Sequence, residues 1–553
     1  MNKSQRRIAS SSFPLSCFSY GVGHENEGIC LLLQIGDYKI LLDCGLNNLE
    51  ELISQARSSA IDLVFCSHAH EDHCRGLREL HQAFPELPIY TSEVTAQLLP
   101  LHWSQESKQD KLNWCQALPW RSPFLITKDL QIELFPAGHL PGAAAISIAH
   151  KTPERTYKVI YTGDFSVSNF QLVEGLSIDN IRGLAPDILI IEGSYGTVRH
   201  PHRRQQEKQL MEKIDRALES GKNVLLPVPP IGLGQEILKL LRSHHQFTGR
   251  DLDLWVDETV AAACDVYLKL LPQFPLSVQN FAKHQSLFWD ERVCPRMRRL
   301  SRQSDLTQNN SAYIILADYR TDLLSYLQSQ TEECLILLPE HPQEYLSPDS
   351  PPISSIVNNL AHVTIDSYLL AEHSDGRNTT QLIHNLRPQH IIFVHGLLNY
   401  LVELASLEEL RNRYQVHSPV NGILVELPLG DRFVQPMTPQ PVYYEGELNE
   451  SGTEIAITLP DTIEQDPRWS KIADTGIVEA RWQGEELIIR GVSQRELLKS
   501  KKDVKISGDM DCCNRCLYYH SQRCWNQTSP LYGFKVIPEG YCPVFEPIEI
   551  EQM

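Results

Sequence analysis

The run Ile61 to Cys66 (IDLVFC) is apolar and rich in β-formers, and it empties directly into His68, His70, Asp72 and His73. Such a run predicts a buried strand, and the residues after it predict a ligand-bearing loop. In extended chain alternate residues share a side, so His68 and His70 face one centre. Asp72 and His73 turn toward a second centre as a helix begins at about Arg75. Imidazole nitrogen and carboxylate oxygen suit zinc, or manganese where oxygen ligands dominate, and a catalytic site keeps one position for water. A solvated, His-rich turn is the bland alternative, but it gives no reason for the ligands to follow a buried strand.

Three further residues sit at the ends of apolar runs: Asp43 in KILLDCG, His139 in FPAGHLPGAA and Asp164 in YTGDFS. Singly each is unremarkable, since Asp forms turns and a His beside Gly is usually a packed core residue. In this order, with His68, His70, Asp72 and His73 forming HxHxDH, they resemble the motifs of the metallo-β-lactamase superfamily. The resemblance implies a four-layer αββα domain and two Zn2+ or Mn2+ ions. His68, His70 and His139 would hold one ion, Asp72, His73 and a later His the other, with Asp164 bridging. Asp43 would orient the loop from behind the ligands.

Glu192 ends the run DILIIEGSYG, and the segment after it, RHPHRRQQEKQLMEKIDRAL, has the period of an amphipathic helix. With His373 in LLAEHSD and His395 in IIFVHG, this is similar to the β-CASP subgroup of RNA-processing nucleases. The similarity implies that His395 is the last metal ligand and that His373, held in one tautomer by Glu192, is the general acid for the leaving group. Between Glu192 and His373 the runs KNVLLPVPP, GQEILKLLRS, DLDLWVD, AYIILAD and CLILLPEH alternate strand and helix character, which reads as an inserted α/β domain. The chain also departs from the subgroup. Leu233 stands where an arginine is usual, Ala317 to Arg320 replace a Ser-Pro-Gly-Met turn, Glu372 replaces a small residue and Leu397 an acid. The ligand set is intact while the expected substrate contacts differ.

A chain of 553 residues exceeds the size of one core. The reading divides it into a metallo-β-lactamase domain in two parts (1–196 and 372–440), the insert (197–371), a small β-rich extension (441–510) without assigned function, and a Cys-rich module (511–553). No apolar stretch approaches the roughly 20 residues that cross a bilayer, which, with no signal-like N-terminus, points to a cytoplasmic protein with no membrane partner. A net charge of -19 excludes a broad phosphate-binding surface. Contact with nucleic acid must be local, and two basic stretches, Arg199 to Lys208 and Arg292 to Arg302, are candidates for it, although such runs are more often solvated helix faces. Five of the 14 cysteines crowd the C-terminal end. Cys513 and Cys516 form a C-x-x-C knuckle and Cys524 with Cys542 a second pair, so the module is expected to hold a further Zn2+ or an iron–sulfur cluster. Cys512 and His520 are spare donors.

The function expected is that of a metal-dependent phosphodiesterase or ribonuclease in which a metal-bridging hydroxide attacks phosphorus, acting on RNA or single-stranded DNA. Hydrolysis of small esters, thioesters or phosphoesters is the alternative, as is a catalytically altered RNA-processing scaffold.

Overall fold

The computed structural model describes residues 15–24, 27–103, 114–300, 306, 311–328, 332–340 and 362–429, and in the C-terminal part 447–451, 454–458, 478–483, 486–491, 513–520, 523–526, 529, 536 and 538. The chain divides into two units, 1–434 and 435–553.

The first unit begins with β1 (Leu15–Val22), β2 (Ile29–Ile35), β3 (Tyr38–Leu42), β4 (Leu63–Phe65), β5 (Ile89–Ser92) and β6 (Cys115–Leu118), which lie side by side in chain order. A second sheet follows in the same way, with β7 (Phe124–Leu125), β8 (Leu130–Pro136), β9 (Ala144–Lys151), β10 (Thr156–Tyr161) and β11 (Ile188–Glu192). The chain then leaves to build a third sheet from β12 (Asn223–Val228), β13 (Asp253–Val256), β14 (Arg296–Arg299), β15 (Ile314–Asp318), β16 (Cys334–Pro339) and β17 (Val363–Tyr368). On its return β18 (His390–Val394) and β19 (Gln415–His417) extend the second sheet beside β11, and β20 (Leu424–Glu426) closes the first beside β1. Two seven-stranded sheets therefore share residues from both ends of the unit, and the third sheet is drawn wholly from the stretch between β11 and β18.

Alternation explains the sandwich. Leu31, Leu33, Ile40 and Leu42 from the first sheet meet Ile146, Ile148, Val159 and Ile190 from the second in one buried cluster. The opposite faces pack helices instead, with Leu41 and Val64 in a cluster that includes Leu52, Leu77 and Leu80. The third sheet is entirely parallel, in the order β14-β13-β15-β12-β16-β17. Three of its four inner strands, β12, β13 and β15, are buried at every residue, as a parallel sheet covered on both faces requires. Helix Arg203–Glu219 leads into this sheet, and helices Leu233–Ser243 and Glu258–Lys269 connect its strands. No helix among the described residues is long and apolar enough to cross a membrane.

Parallel register then gathers the site. Leu42 pairs with Phe65 at the ends of β3 and β4, Glu192 with Val394 at the ends of β11 and β18, and Tyr161 ends β10 opposite Ile190, so that Asp43, His68, Asp164, Glu192 and His395 all lie at or just past strand ends.

In the second unit the hairpins Glu447–Ser451/Glu454–Thr458 and Val478–Gln483/Glu486–Gly491 occupy the β-rich extension. Further on, a short turn at Cys513–Arg515 precedes a hairpin pairing Tyr519 with Cys524. Cys513, Cys516 and Cys524 are all buried. Cys512 and Cys542 lie outside the described residues.

Candidate metal centre

The outer shell is built around Asp43, which is fully buried. Its Oδ1 accepts the Ser67 amide (2.6 Å), and its Oδ2 accepts the Ser67 hydroxyl (2.7 Å), the Tyr161 hydroxyl (2.6 Å) and Nδ1 of His73 (2.7 Å). Since the Ser67 hydroxyl donates to Asp43, it accepts from Nδ1 of His68 at 3.0 Å. Both imidazoles thus have their proton fixed on Nδ1 and turn a lone pair on Nε2 inward. Those two Nε2 atoms are buried and make no hydrogen bond, nor does Oδ1 of Asp164.

His70 and His139 are fixed from the other side. Nε2 of His70 donates to the Ile231 carbonyl (3.3 Å), and Nδ1 of His139 donates to the Glu372 carbonyl (3.0 Å). The remaining nitrogens, Nδ1 of His70 and Nε2 of His139, face each other across 3.0 Å with a lone pair apiece. Two acceptors at that distance repel unless a cation lies between them. Asp164 Oδ2 is 3.4, 3.3 and 3.8 Å from Nε2 of His68, His73 and His139. Donors about 2.1 Å from one tetrahedral ion stand about 3.4 Å apart, so the spacing suits zinc. His68, His70, His139 and Asp164 form one compact donor group, Asp72, His73 and His395 a second, and Asp164, Glu192, His373 and His395 a third that overlaps both. In the second, Nε2 of His395 lies 3.0 Å from Asp72 Oδ2.

Asp72 and His73 sit on a helical turn, Glu71–Cys74, which begins earlier than the start at Arg75 that periodicity predicts. The reason is electrostatic: Glu71 and Asp72 occupy its first turn, where the helix dipole favours carboxylates.

Electrostatics are consistent with this division. Burial pushes His68, His70 and His139 down, keeping them neutral donors. Burial opposes charge on His395 too, but Asp164 and Asp72 outweigh it and hold it up at about 9. His73 is likewise raised against burial by Asp164, Asp72 and Asp43. The second group therefore lies in a field of three carboxylates that favours positive charge, which divalent cations would supply.

Beside the ligands, Glu192 Oε1 accepts Nδ1 of His373 (3.0 Å) and the Phe165 amide (2.8 Å). Its Oε2 accepts the Ser194 hydroxyl at 2.5 Å, and that hydroxyl lies 2.8 Å from Nδ1 of His395. His373 stacks against His395 with ring centroids 5.5 Å apart and an interplanar angle of 27°. The carboxylate thus fixes the tautomer of His373 and, through Ser194, the ring of His395. Ser194, Ser67, Tyr161 and the Ile231 carbonyl were not singled out from the sequence. Only Ser194 left a local signal, a hydroxyl two residues beyond a strand-ending acid.

The basic stretches are partly spent within the protein, although Arg199, Arg204 and Lys208 of the first are exposed. Arg203 is buried, bonded to the Ala371 carbonyl (2.6 Å) and stacked on Phe170. Arg292 pairs with Asp290, Arg296 with Asp251 and Asp253, and Arg299 with Asp265. Within the second stretch Arg296–Arg299 forms an edge strand, β14, rather than a helix face.

Comparison with known proteins gives matches in keeping with this geometry. Residues 38–211 match the family described as the β-lactamase superfamily domain. The uncharacterized protein sll0514 of Synechocystis sp. is 49% identical over 548 residues, 97% of each chain. Two proteins of Methanocaldococcus jannaschii are similar over a shorter span: an RNase J-like protein, 28% identical across 46% of this chain and 61% of its own, and a probable RNase, 31% identical across 39% and 54%. The matched span is thus between half and two thirds of those two relatives' length.

Proposed function

The chain belongs to the metallo-β-lactamase superfamily, in its β-CASP subgroup, and on that premise we propose that it is a metal-dependent nuclease hydrolysing phosphodiester bonds in RNA. The observation that carries the proposal is the pair of opposed lone pairs on His70 and His139, next to the orphaned Nε2 atoms of His68 and His73. His68, His70, His139 and Asp164 would hold one Zn2+ or Mn2+, and Asp72, His73, His395 and Asp164 the other. When bound, the ions would supply charge for the phosphate oxygens and lower the pKa of water for attack.

The rest is the work of side chains. Asp43 keeps two ligands in the right tautomer through Ser67 and directly through His73. Glu192 holds the Nδ1 proton of His373, so a proton on Nε2 is the one available to the departing alkoxide. That acid–carboxylate pair beside the metal ligands favours phosphodiester cleavage, and the names of the two archaeal relatives favour RNA. The described cysteines form no disulfide, which fits the cytoplasm as the compartment. Cys513, Cys516 and Cys524 on their turn and hairpin, with Cys542, would bind a separate zinc or iron–sulfur cluster.

Elemental analysis of anaerobically purified protein, alongside cleavage of end-labelled single-stranded RNA, tests the reading. Two equivalents of zinc or manganese and cleavage that disappears with Asp72→Ala are expected, with additional zinc or iron attributable to the tail. Bound metal without cleavage of RNA or DNA would turn the reading to a small-ester hydrolase or a scaffold. Full activity in Asp72→Ala would sink the ligand assignment.

A further inference from the structure

Arg203 and most arginines of the second stretch are committed to internal partners, and the cation that reaches the metal loop itself lies elsewhere in the chain. Arg320, just past the end of β15 in the third sheet, reaches that loop. Its Nε and Nη2 form a bidentate contact with Asp318 (3.0 and 2.8 Å), whose carboxylate is buried. Its Nη1 donates to Glu71 Oε2 at 2.9 Å. Glu71 lies between His70 and Asp72, so this one guanidinium joins the third sheet to the donor loop. His102 braces the same loop, with Nε2 donating to the Ala69 carbonyl at 2.6 Å.

The two ends of Arg320 differ in kind. Asp318 fixes the plane of the guanidinium from a buried position, and its second oxygen also accepts from Thr259. Glu71 is 37% exposed and Arg320 38%, so their ion pair is solvated and contributes little to stability. A guanidinium carries five N–H groups in a rigid fork that matches phosphate as well as carboxylate. With three N–H directions occupied, each terminal nitrogen retains one directed at neither acid.

Resting on the nuclease reading, we propose that Arg320 is a substrate-positioning residue: held from behind by Asp318, it exchanges Glu71 for a phosphate of the strand adjoining the scissile one. Glu71 is then the internal stand-in for that phosphate. The bidentate contact with Asp318 keeps the guanidinium oriented before substrate arrives, which lowers the ordering cost of binding.

The test is binding of a fluorescein-labelled single-stranded oligoribonucleotide to the full chain by anisotropy across a salt series, in the His373→Ala background to prevent turnover. Arg320→Ala should weaken binding about tenfold, as expected for a charged hydrogen bond. It should also flatten the dependence of log K on log salt by about 0.7, the loss of one single-strand phosphate contact. Arg320→Lys should recover part of the affinity and the salt slope. Glu71→Gln, which leaves Arg320 in place, should tighten binding a few-fold. Equal affinity and slope for Arg320→Ala and its parent would overturn the proposal, leaving Arg320 a brace between lobes. So would unchanged binding in Glu71→Gln, a readout that stands even if Arg320→Ala loses metal or folds poorly. A parent protein that binds no RNA at low salt would overturn the nuclease reading itself, and the role of Arg320 with it.

Discussion

Asp43 and His395 both adopt left-handed backbone, with φ of 60° and 52°, a conformation that costs a non-glycine residue about 1–3 kcal/mol. Each is pinned by its own amide, Asp43 to the Phe65 carbonyl (2.8 Å) and His395 to the Val22 carbonyl (2.7 Å). The kink comes immediately after a strand and swings the side chain across the rim toward the donors. At this scale His373 is distinguished from the proposed ligands by its task, proton transfer, for which Glu192 holds its Nδ1. His373→Ala is expected to retain both metals and to lose phosphodiester cleavage by roughly two to four powers of ten, the usual worth of a positioned acid. The deficit should shrink on an activated aryl phosphodiester, whose leaving group needs no proton. Measuring metal content and both rates decides it: equal deficits on the two substrates would assign His373 to positioning, and an unchanged RNA rate would remove the role.

At the scale of elements, the strands that carry the site were legible because each is an apolar run ending in a ligand-type residue. IDLVFC, KILL, ILII and HIIFV became β4, β3, β11 and β18, with Asp43, Glu192 and His395 following at their ends. The runs between Glu192 and His373 likewise became strands and helices of the third sheet. What stayed hidden was contact across the fold: the Ile231 carbonyl lies 161 residues from His70, and periodicity says nothing about such a partner. The same holds for Glu236, at the start of helix Leu233–Ser243. Its two oxygens accept the amides of Gln171 (2.6 Å) and Leu172 (2.9 Å), tying the third sheet's helix to the loop after β10. Burial pushes its carboxyl up to about 7, against the opposing charge of Arg203, with Glu207, Lys239 and Tyr267 also nearby. An acid raised on folding binds more protons folded than unfolded between about 4.5 and 7. Its contribution to stability is therefore greatest below that window, falls as pH rises through it, and levels off above, by roughly 3 kcal/mol at most. Thermal melts should show the wild type losing ground to Glu236→Gln across that window. Parallel pH curves for the two would mean that the docking carboxylate is not protonated on folding.

For the whole molecule, the balance of charge is as informative as the site. A protein with net charge -19 repels a polyanion at long range, and the arginines of its second basic stretch are largely compensated by neighbouring aspartates. Attraction at the cleavage site would then come from the donor groups once loaded with divalent ions and from the guanidinium of Arg320 beside them. Such a patch spans few phosphates. Each phosphate contact on a single strand contributes about −0.7 to the slope of log K against log salt, so about three contacts give a slope near −2. Removing the metals by dialysis against a chelator should abolish most of the affinity, because it removes the centre of that patch. An extended cationic track would behave otherwise, with a slope beyond about −6 and little response to chelation. Anisotropy titrations across salt, with and without metal, distinguish the two, and a steep, metal-independent slope would mean that surfaces outside the described donor groups hold the nucleic acid.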